Sequence, residues 1–224
     1  TYCDVLQEIR LFNAEQLLMH SDKTIAQIAE EVGYRNKGYF YKLFTEKYGM
    51  TPVEYLNSYG LFDVPTTAAH CVWLEDNDYK ILKEKNVTVA CNPVSNLKLA
   101  SGVCDVDRLL KEGINVTIGT DGVSSNNSLN FFEEMKALAV TAKVKANDPT
   151  VVTPKDALMA ATRNGAMAQG RTDCGVLKEG NKADLIVLRT DVPNMHPVHN
   201  MANNLVYAAS GSDVVMTMVD GKVI

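Results

Sequence analysis

The sequence contains no Cys-x-x-Cys pair, no His-x-His pair and no apolar run approaching the ~20 residues that span a bilayer. Its five cysteines, Cys3, Cys71, Cys91, Cys104 and Cys174, are odd in number and unevenly spaced. A zinc knuckle and a disulfide framework are therefore not expected, and a reducing cytoplasm is the simplest setting. The start, Thr1-Tyr2-Cys3-Asp4, lacks a basic n-region and an apolar h-region, so no signal peptide is expected, and a start without Met suits a fragment. Positive charge is also in deficit: 22 Lys and Arg face 27 Asp and Glu, a net charge of −5. That excludes wholesale coating of nucleic acid but leaves room for a local basic face. No internal repeat or low-complexity linker occurs.

What is present is an ordinary globular composition, 46% hydrophobic and 22% charged over 224 residues, enough for one large core or two smaller ones. Patterning divides the chain. Residues 1–57 read as helical: Leu6, Ile9, Leu11, Ala14, Leu17 and Leu18 recur near helical spacing. Ser21, Asp22 and Thr24 offer caps for a second helix, Ile25 to Val32, ended by Gly33. A third runs from about Asn36 to Tyr48, and Pro52 starts a short fourth. Helix, tight turn, helix is the helix-turn-helix arrangement.

Residues 58–224 alternate instead. Strands are predicted at Thr66–Leu74, Val87–Cys91 and Val116–Gly119, with helices at Asp76–Lys85, Asp105–Glu112, Leu129–Ala146 and Thr153–Gln169. Apolar strands alternating with helices imply an α/β fold with a parallel sheet covered by helices. Strand signals at Leu185–Arg189, Leu205–Ala208 and Val214–Ile224 predict a small β appendage.

The front segment resembles the second half of an AraC-type DNA-binding domain. The resemblance is carried by Arg10, Ala14, Leu17, Leu18, Ile25, Ile28, Ala29, Val32-Gly33-Tyr34, Tyr39-Phe40, Phe44, Gly49, Pro52 and Tyr55. It implies a DNA partner met by Arg35, Asn36, Lys37, Gly38, Tyr41 and Lys42 at the start or exposed face of the third helix. The same charges also suit a solvated helix face, because residues 1–57 hold six basic and eight acidic side chains. One such unit makes few phosphate contacts, so binding is expected to be weak and salt-sensitive.

The remainder resembles the amidohydrolase superfamily, nearest to deaminases of 5′-methylthioadenosine and S-adenosylhomocysteine. The carrying stretches are Ala68-Ala69-His70-Cys71-Val72, Asn92 to Gly102, Gly119-Thr120-Asp121-Gly122, Ser125-Asn126-Asn127, Ala161 to Ala166 and Gly180 to Asp184. The resemblance implies a partial β/α barrel made of the last three strand–helix units, barrel strands six to eight, plus a β tail. It implies hydrolytic deamination of a nucleoside-type small molecule, with zinc or another divalent metal as cofactor. It makes His70 the residue that orients the attacking water or polarises the target. Asp121 becomes the metal ligand and proton acceptor. A divalent ion lowers its bound water's pKa to about 7. Asn92, Ser95, Asn96 and Lys98 would border the substrate, as would Ser125 and Asn126. Read without the resemblance, His70 is a hydrogen-bonded structural histidine and Asp121 a turn residue. His196 and His199 fall in the tail and read as structural or surface residues.

An intact enzyme of this kind also needs a His-x-His pair, and a further histidine followed three residues on by a glutamate. No histidine lies between His20 and His70, so one family ligand of four, Asp121, is expected to remain, too few to hold zinc. Catalysis by this chain is expected to fail. Open strand edges are expected to favour homo-oligomers. Lys47 to Leu56 fits both resemblances, which suggests a chimera joined through a shared helix. The competing functions are a truncated deaminase, a DNA-binding regulator with an amidohydrolase-derived ligand or oligomerisation module, and an inert fusion. No membrane partner is expected.

Overall fold

The computed structural model describes residues 2–21 and 23–224; Asp22, one of the expected caps, lies outside them. Two compact units emerge. One holds the chain up to Thr66 together with Trp73–Val87, and the other holds Thr67–Val72 with Thr88–Ile224.

The front unit is helical: α1 (Tyr2–His20), α2 (Ile25–Glu31), α3 (Lys37–Tyr48), α4 (Pro52–Ser58) and α5 (Asp76–Glu84). Its helix starts follow the sequence. Thr24 caps α2 and Thr51 caps α4, each in a reciprocal box with Gln27 or Glu54, and the Asn36 side chain accepts from Tyr39 N–H at the head of α3. Between α2 and α3 the chain turns at Gly33, whose φ of +92° disfavours any side chain. A Cβ there would also meet the Arg10 guanidinium at 3.0 Å. Leu11, Ala14, Ile28, Ala29, Phe40 and Phe44 form the core, and Phe44 packs against Tyr48 at a tilt and against Tyr55 edge to face, with centroids 4.5 and 5.6 Å apart. Glu15 accepts from the hydroxyls of both tyrosines, which ties α1 to α3 and α4. Burial, then the bond to Glu15, pushes both phenols well above their ordinary range.

One buried acid stands out in this unit. Asp78 is fully buried, accepts from Thr51 Oγ at 2.5 Å and from Glu75 N–H at 2.8 Å, and so joins the heads of α4 and α5. Burial raises its carboxyl above the usual range; the two hydrogen bonds oppose this, while the charges of Glu54 and Glu75 add to it.

The second unit begins with β1 (Thr67–Ala69), β2 (Thr88–Cys91) and β3 (Val116–Ile118), hydrogen-bonded in the order β1-β2-β3 and all parallel. The register aligns Ala69 with Ala90 and Cys91 with Ile118. The α/β expectation therefore holds. Helices α6 (Pro93–Lys98) and α7 (Val106–Lys111) separate β2 from β3; α8 (Val123–Asn126), α9 (Phe131–Ala146), α10 (Pro154–Ala161) and α11 (Arg163–Ala168) follow. Helices α7, α9, α10 and α11 all pack on β3, which is buried throughout. The tail forms a second sheet, β4 (Leu185–Leu188), β5 (Val214–Val219) and β6 (Lys222–Val223), antiparallel, with α12 (Met201–Tyr207) between β4 and β5.

Four expectations are corrected. The first strand is much shorter than Thr66–Leu74, because His70 and Cys71 adopt φ of +68° and +44° and leave the extended region. Leu205–Ala208 is not a strand. Asn200 caps a helix there, and Val206 is its buried anchor. The helix expected over Thr153–Gln169 is two helices, broken at Thr162 (φ −129°, ψ −91°). The stretches after β2 and after Asp121, where no helix is predicted, contain α6 and α8.

Phe44→Ala should destabilise the front unit by ~3–5 kcal/mol, since it empties the centre of that core; the check is the urea midpoint followed by helical circular dichroism. A second expectation concerns pH. Asp78 keeps its proton in the folded state after the unfolded chain has released it. Its contribution is therefore full below the ordinary carboxylate range, about 4, and lost as pH rises through the raised folded value. Urea midpoints measured from acid to neutral pH should fall through that window, and Asp78→Asn should flatten the slope.

Candidate active site

Parallel strands end side by side, so residues just past their C-terminal ends converge. His70 follows β1, Asn92 follows β2, and Asp121 follows β3 through Gly119-Thr120. Two ladder bonds continue past the strands, His70 N–H to Ala90 O at 2.9 Å and Gly119 N–H to Cys91 O at 2.8 Å. Gly119 also permits a close approach. A Cβ there would lie 2.4 Å from Asn92 Oδ1, so any side chain would displace that amide. The left-handed turns at His70 and Asp121 (φ +59°) redirect the chain where each side chain is presented.

These side chains form one network. His70 Nδ1 lies 2.7 Å from Asn96 Oδ1, a contact that suits the Nδ1–H tautomer, and Nε2 faces Asp121 Oδ2 at 3.8 Å. Ser95 Oγ donates to the same Asp121 oxygen at 2.5 Å, and Gly122 N–H donates to Oδ1 at 2.7 Å. Helix α6 thus supplies both residues that hold the pair: Ser95 on the aspartate and Asn96 on the histidine. Asn92 stands 3.5 Å from His70 Nδ1.

The other expected residues are drawn in less directly. Lys98 reaches Asn127 Oδ1 and, at 3.4 Å, Ser124 O, bridging α6 to the end of α8. Asn126 is buried and donates to Thr120 O at 2.7 Å and to Glu134 Oε1 at 2.5 Å. Ser125 is half-buried in α8 with its backbone N–H on Gly122 O, outside the His70–Asp121 network.

Glu134 is the residue that sequence reasoning missed. It is 1% exposed, accepts from Asn126 and from Val94 N–H at 3.2 Å, and so links α9 to both α6 and α8. Burial raises its carboxyl, the two hydrogen bonds lower it, and the charges of Glu133 and Asp121 raise it again. The available signal was its position one turn before Leu138, on the stripe that Met135, Leu138, Ala139 and Ala142 bury.

The donor set does not fit a zinc site by itself. His70 Nε2 and Asp121 Oδ2 converge, but among the described residues no group of three or more His, Cys, Asp or Glu could hold a metal ion. Zinc takes three or four protein ligands.

The proposed DNA face looks different from its expectation. Arg35 and Lys42 are exposed, but Lys42 lies 3.8 Å from Glu46 and Lys37 lies 3.6 Å from Glu30. Asn36 spends its side-chain oxygen on the α3 cap. Tyr41 is half-buried against Phe40, not on an open face, because its ring packs on the core cluster. Gly38 is covered as well: a Cβ there would meet the Trp73 ring at 3.2 Å. His196 and His199 lie in the tail, exposed, and His196 precedes a cis peptide bond to Pro197.

Comparison with known proteins adds an independent line. A model of the amidohydrolase family matches residues 22–224, a span that includes α2, α3 and α4. The chain is 48% identical over 177 residues to a 5-methylthioadenosine/S-adenosylhomocysteine deaminase of Dictyoglomus thermophilum, covering 79% of this chain and 42% of that protein. It is 47% identical over 179 residues to a 5′-deoxyadenosine deaminase of Methanosarcina mazei, covering 80% and 41%. Among solved structures it superposes with a TM-score of 0.79 on an adenosine deaminase from Xanthomonas campestris with bound zinc, at 30% identity over 94% of this chain and 48% of that one. The chain thus spans about two fifths of the length of the curated relatives it matches. The parallel-strand site and the family match over residues 22–224 lead to one conclusion: this chain belongs to the amidohydrolase family.

Proposed function

We propose that this chain is the closing portion, barrel strands six to eight with the β tail, of an adenine-nucleoside deaminase of the methylthioadenosine/S-adenosylhomocysteine type, and that it does not turn over by itself. One observation carries the reading: His70 and Asp121, held by Asn96 and Ser95, meet at the C-terminal ends of three parallel strands. In this reading Asp121 takes the proton of the attacking water. His70, its Nδ1–H fixed by Asn96, presents Nε2 to that water or to the leaving group. Asn92 and Lys98 border the nucleoside; Ser95 and Asn96 do so while orienting the pair, and Ser125 and Asn126 close the side nearest Asp121. The family's zinc would need donors besides these two, from a longer chain or a second copy. The strand edges of β1 and β3, unpaired among the described residues, are the natural surfaces for that association.

A second reading keeps the front segment, residues 1–57, as a helix-turn-helix of AraC type joined to the amidohydrolase portion, residues 58–224. The turn at Gly33 between α2 and α3 and the core built from Ile28, Ala29, Phe40 and Phe44 favour it. The ion pairs on Lys37 and Lys42 and the ring over Gly38 weaken it as a base-reading surface.

Two measurements separate these readings. Purified protein should carry less than stoichiometric zinc and release no ammonia from 5′-methylthioadenosine or 5′-deoxyadenosine; bound zinc at one per chain together with turnover would overturn the first reading. An electrophoretic mobility shift on double-stranded DNA at about 50 mM salt, where phosphate contacts are strongest, tests the second. A shift lost above about 200 mM supports it, and no shift at the lower salt rejects it.

A further inference from the structure

Cys91 and Cys104 form a pair that the proposed chemistry does not use. Cys91 ends β2 and Cys104 lies just before α7, and both are buried, at 1% and 5% exposure. Their sulfurs are 3.5 Å apart, with the Cys91 thiol donating to Cys104 Sγ. Both are free thiols. The hydrogen bond shared between the two thiols, together with burial, pushes the Cys104 thiol well above the ordinary thiol range, so at rest it stays protonated. A small cavity, with room for about one water at most, is lined by both cysteines, Leu97 and Leu138.

We propose that Cys91 and Cys104 are a dithiol modification site, converted to a disulfide by a hydroperoxide. The bond would fasten the segment 92–103 at its base. One thiol gives up its proton and the thiolate attacks a peroxide oxygen. The O–O bond breaks, and hydroxide or alkoxide leaves and takes up the proton, so the sulfur becomes a sulfenic acid. The second sulfur attacks that centre, the S–S bond forms, and the departing hydroxyl leaves as water with the second thiol's proton. Two thiols and one hydroperoxide thus give one disulfide, one water and one further water or alcohol; sulfur is oxidised and the peroxide oxygens are reduced. The sulfurs need to close from 3.5 Å to a bond of about 2.05 Å, a movement within reach of side-chain rotation and a small backbone shift.

The position gives the bond a consequence. The loop it closes contains Asn92, Ser95 and Asn96, the residues that hold His70 and Asp121. Oxidation would therefore stiffen α6 under the site.

The full chain, reduced and then exposed to hydrogen peroxide, is examined by intact mass and by non-reducing tryptic mapping. The expected result is a loss of two hydrogens and one cross-linked pair, Asn86–Lys98 with Leu99–Arg108. Hydrogen exchange over residues 92–103 should slow roughly tenfold against the reduced protein. Cys104→Ala should abolish the cross-link, while the wild-type readout remains decisive if that variant folds poorly. Oxygen adducts on the two peptides separately, pairing of either with Cys71 or Cys174, or intact thiols at a peroxide dose that oxidises exposed Cys3 would each overturn the site. A cross-link with unchanged exchange would overturn the fastening of α6.

Discussion

The structure of the second unit depends on the register between three short parallel strands. Because Ala69 pairs with Ala90 and Cys91 with Ile118, the chain leaves the three strands at one level and at one end. Everything chemically interesting follows from that alignment. A slip of one residue in any strand would turn its apolar side chains to the opposite face. It would also move His70, Asn92 or Asp121 out of reach of the others. The burial of β3 and the helices packed on it therefore fix the strand end on which the site is built.

Around that alignment the protein uses short polar links in place of long rigid elements. Helix α6 holds the histidine with one residue and the aspartate with the one before it. Glu134, reaching from α9, accepts from both α6 and α8, so the two segments that flank Asp121 share one buried carboxylate. A buried acid is costly unless its oxygens are satisfied, and here each oxygen has a donor. The cost is offset by holding two segments that have few apolar residues of their own to anchor them.

Much of this was legible in the chain, and the remainder was not for identifiable reasons. Capping residues Thr24, Asn36 and Thr51, and the turn at Gly33, announce the front helices directly, because each acts over three or four residues. His70 and Asp121 were readable because their motifs place them at strand ends. Helices α6 and α8 were not, since a helix of one or two turns leaves too few residues to show a period. The run around Leu205 misled because four apolar residues look alike in either conformation until the cap at Asn200 is taken into account. Glu134 and the cover that Trp73 gives Gly38 depend on packing between segments far apart in sequence, which no local pattern records.

The contact between Trp73 and Gly38 bears on where this protein can be divided. The helical front does not end where its helical sequence pattern ends: residues 73–87, which come after β1, fold with it, and Asp78 lies sealed between Thr51 and Glu75. A piece cut after residue 57 would expose the flank of α3 and leave Thr51 without its acidic partner. A piece beginning there would carry α5 with nothing to lie against. The polypeptide leaves the front unit for β1 and returns to it before β2, so a single scission near residue 60 splits the front unit instead of parting the two.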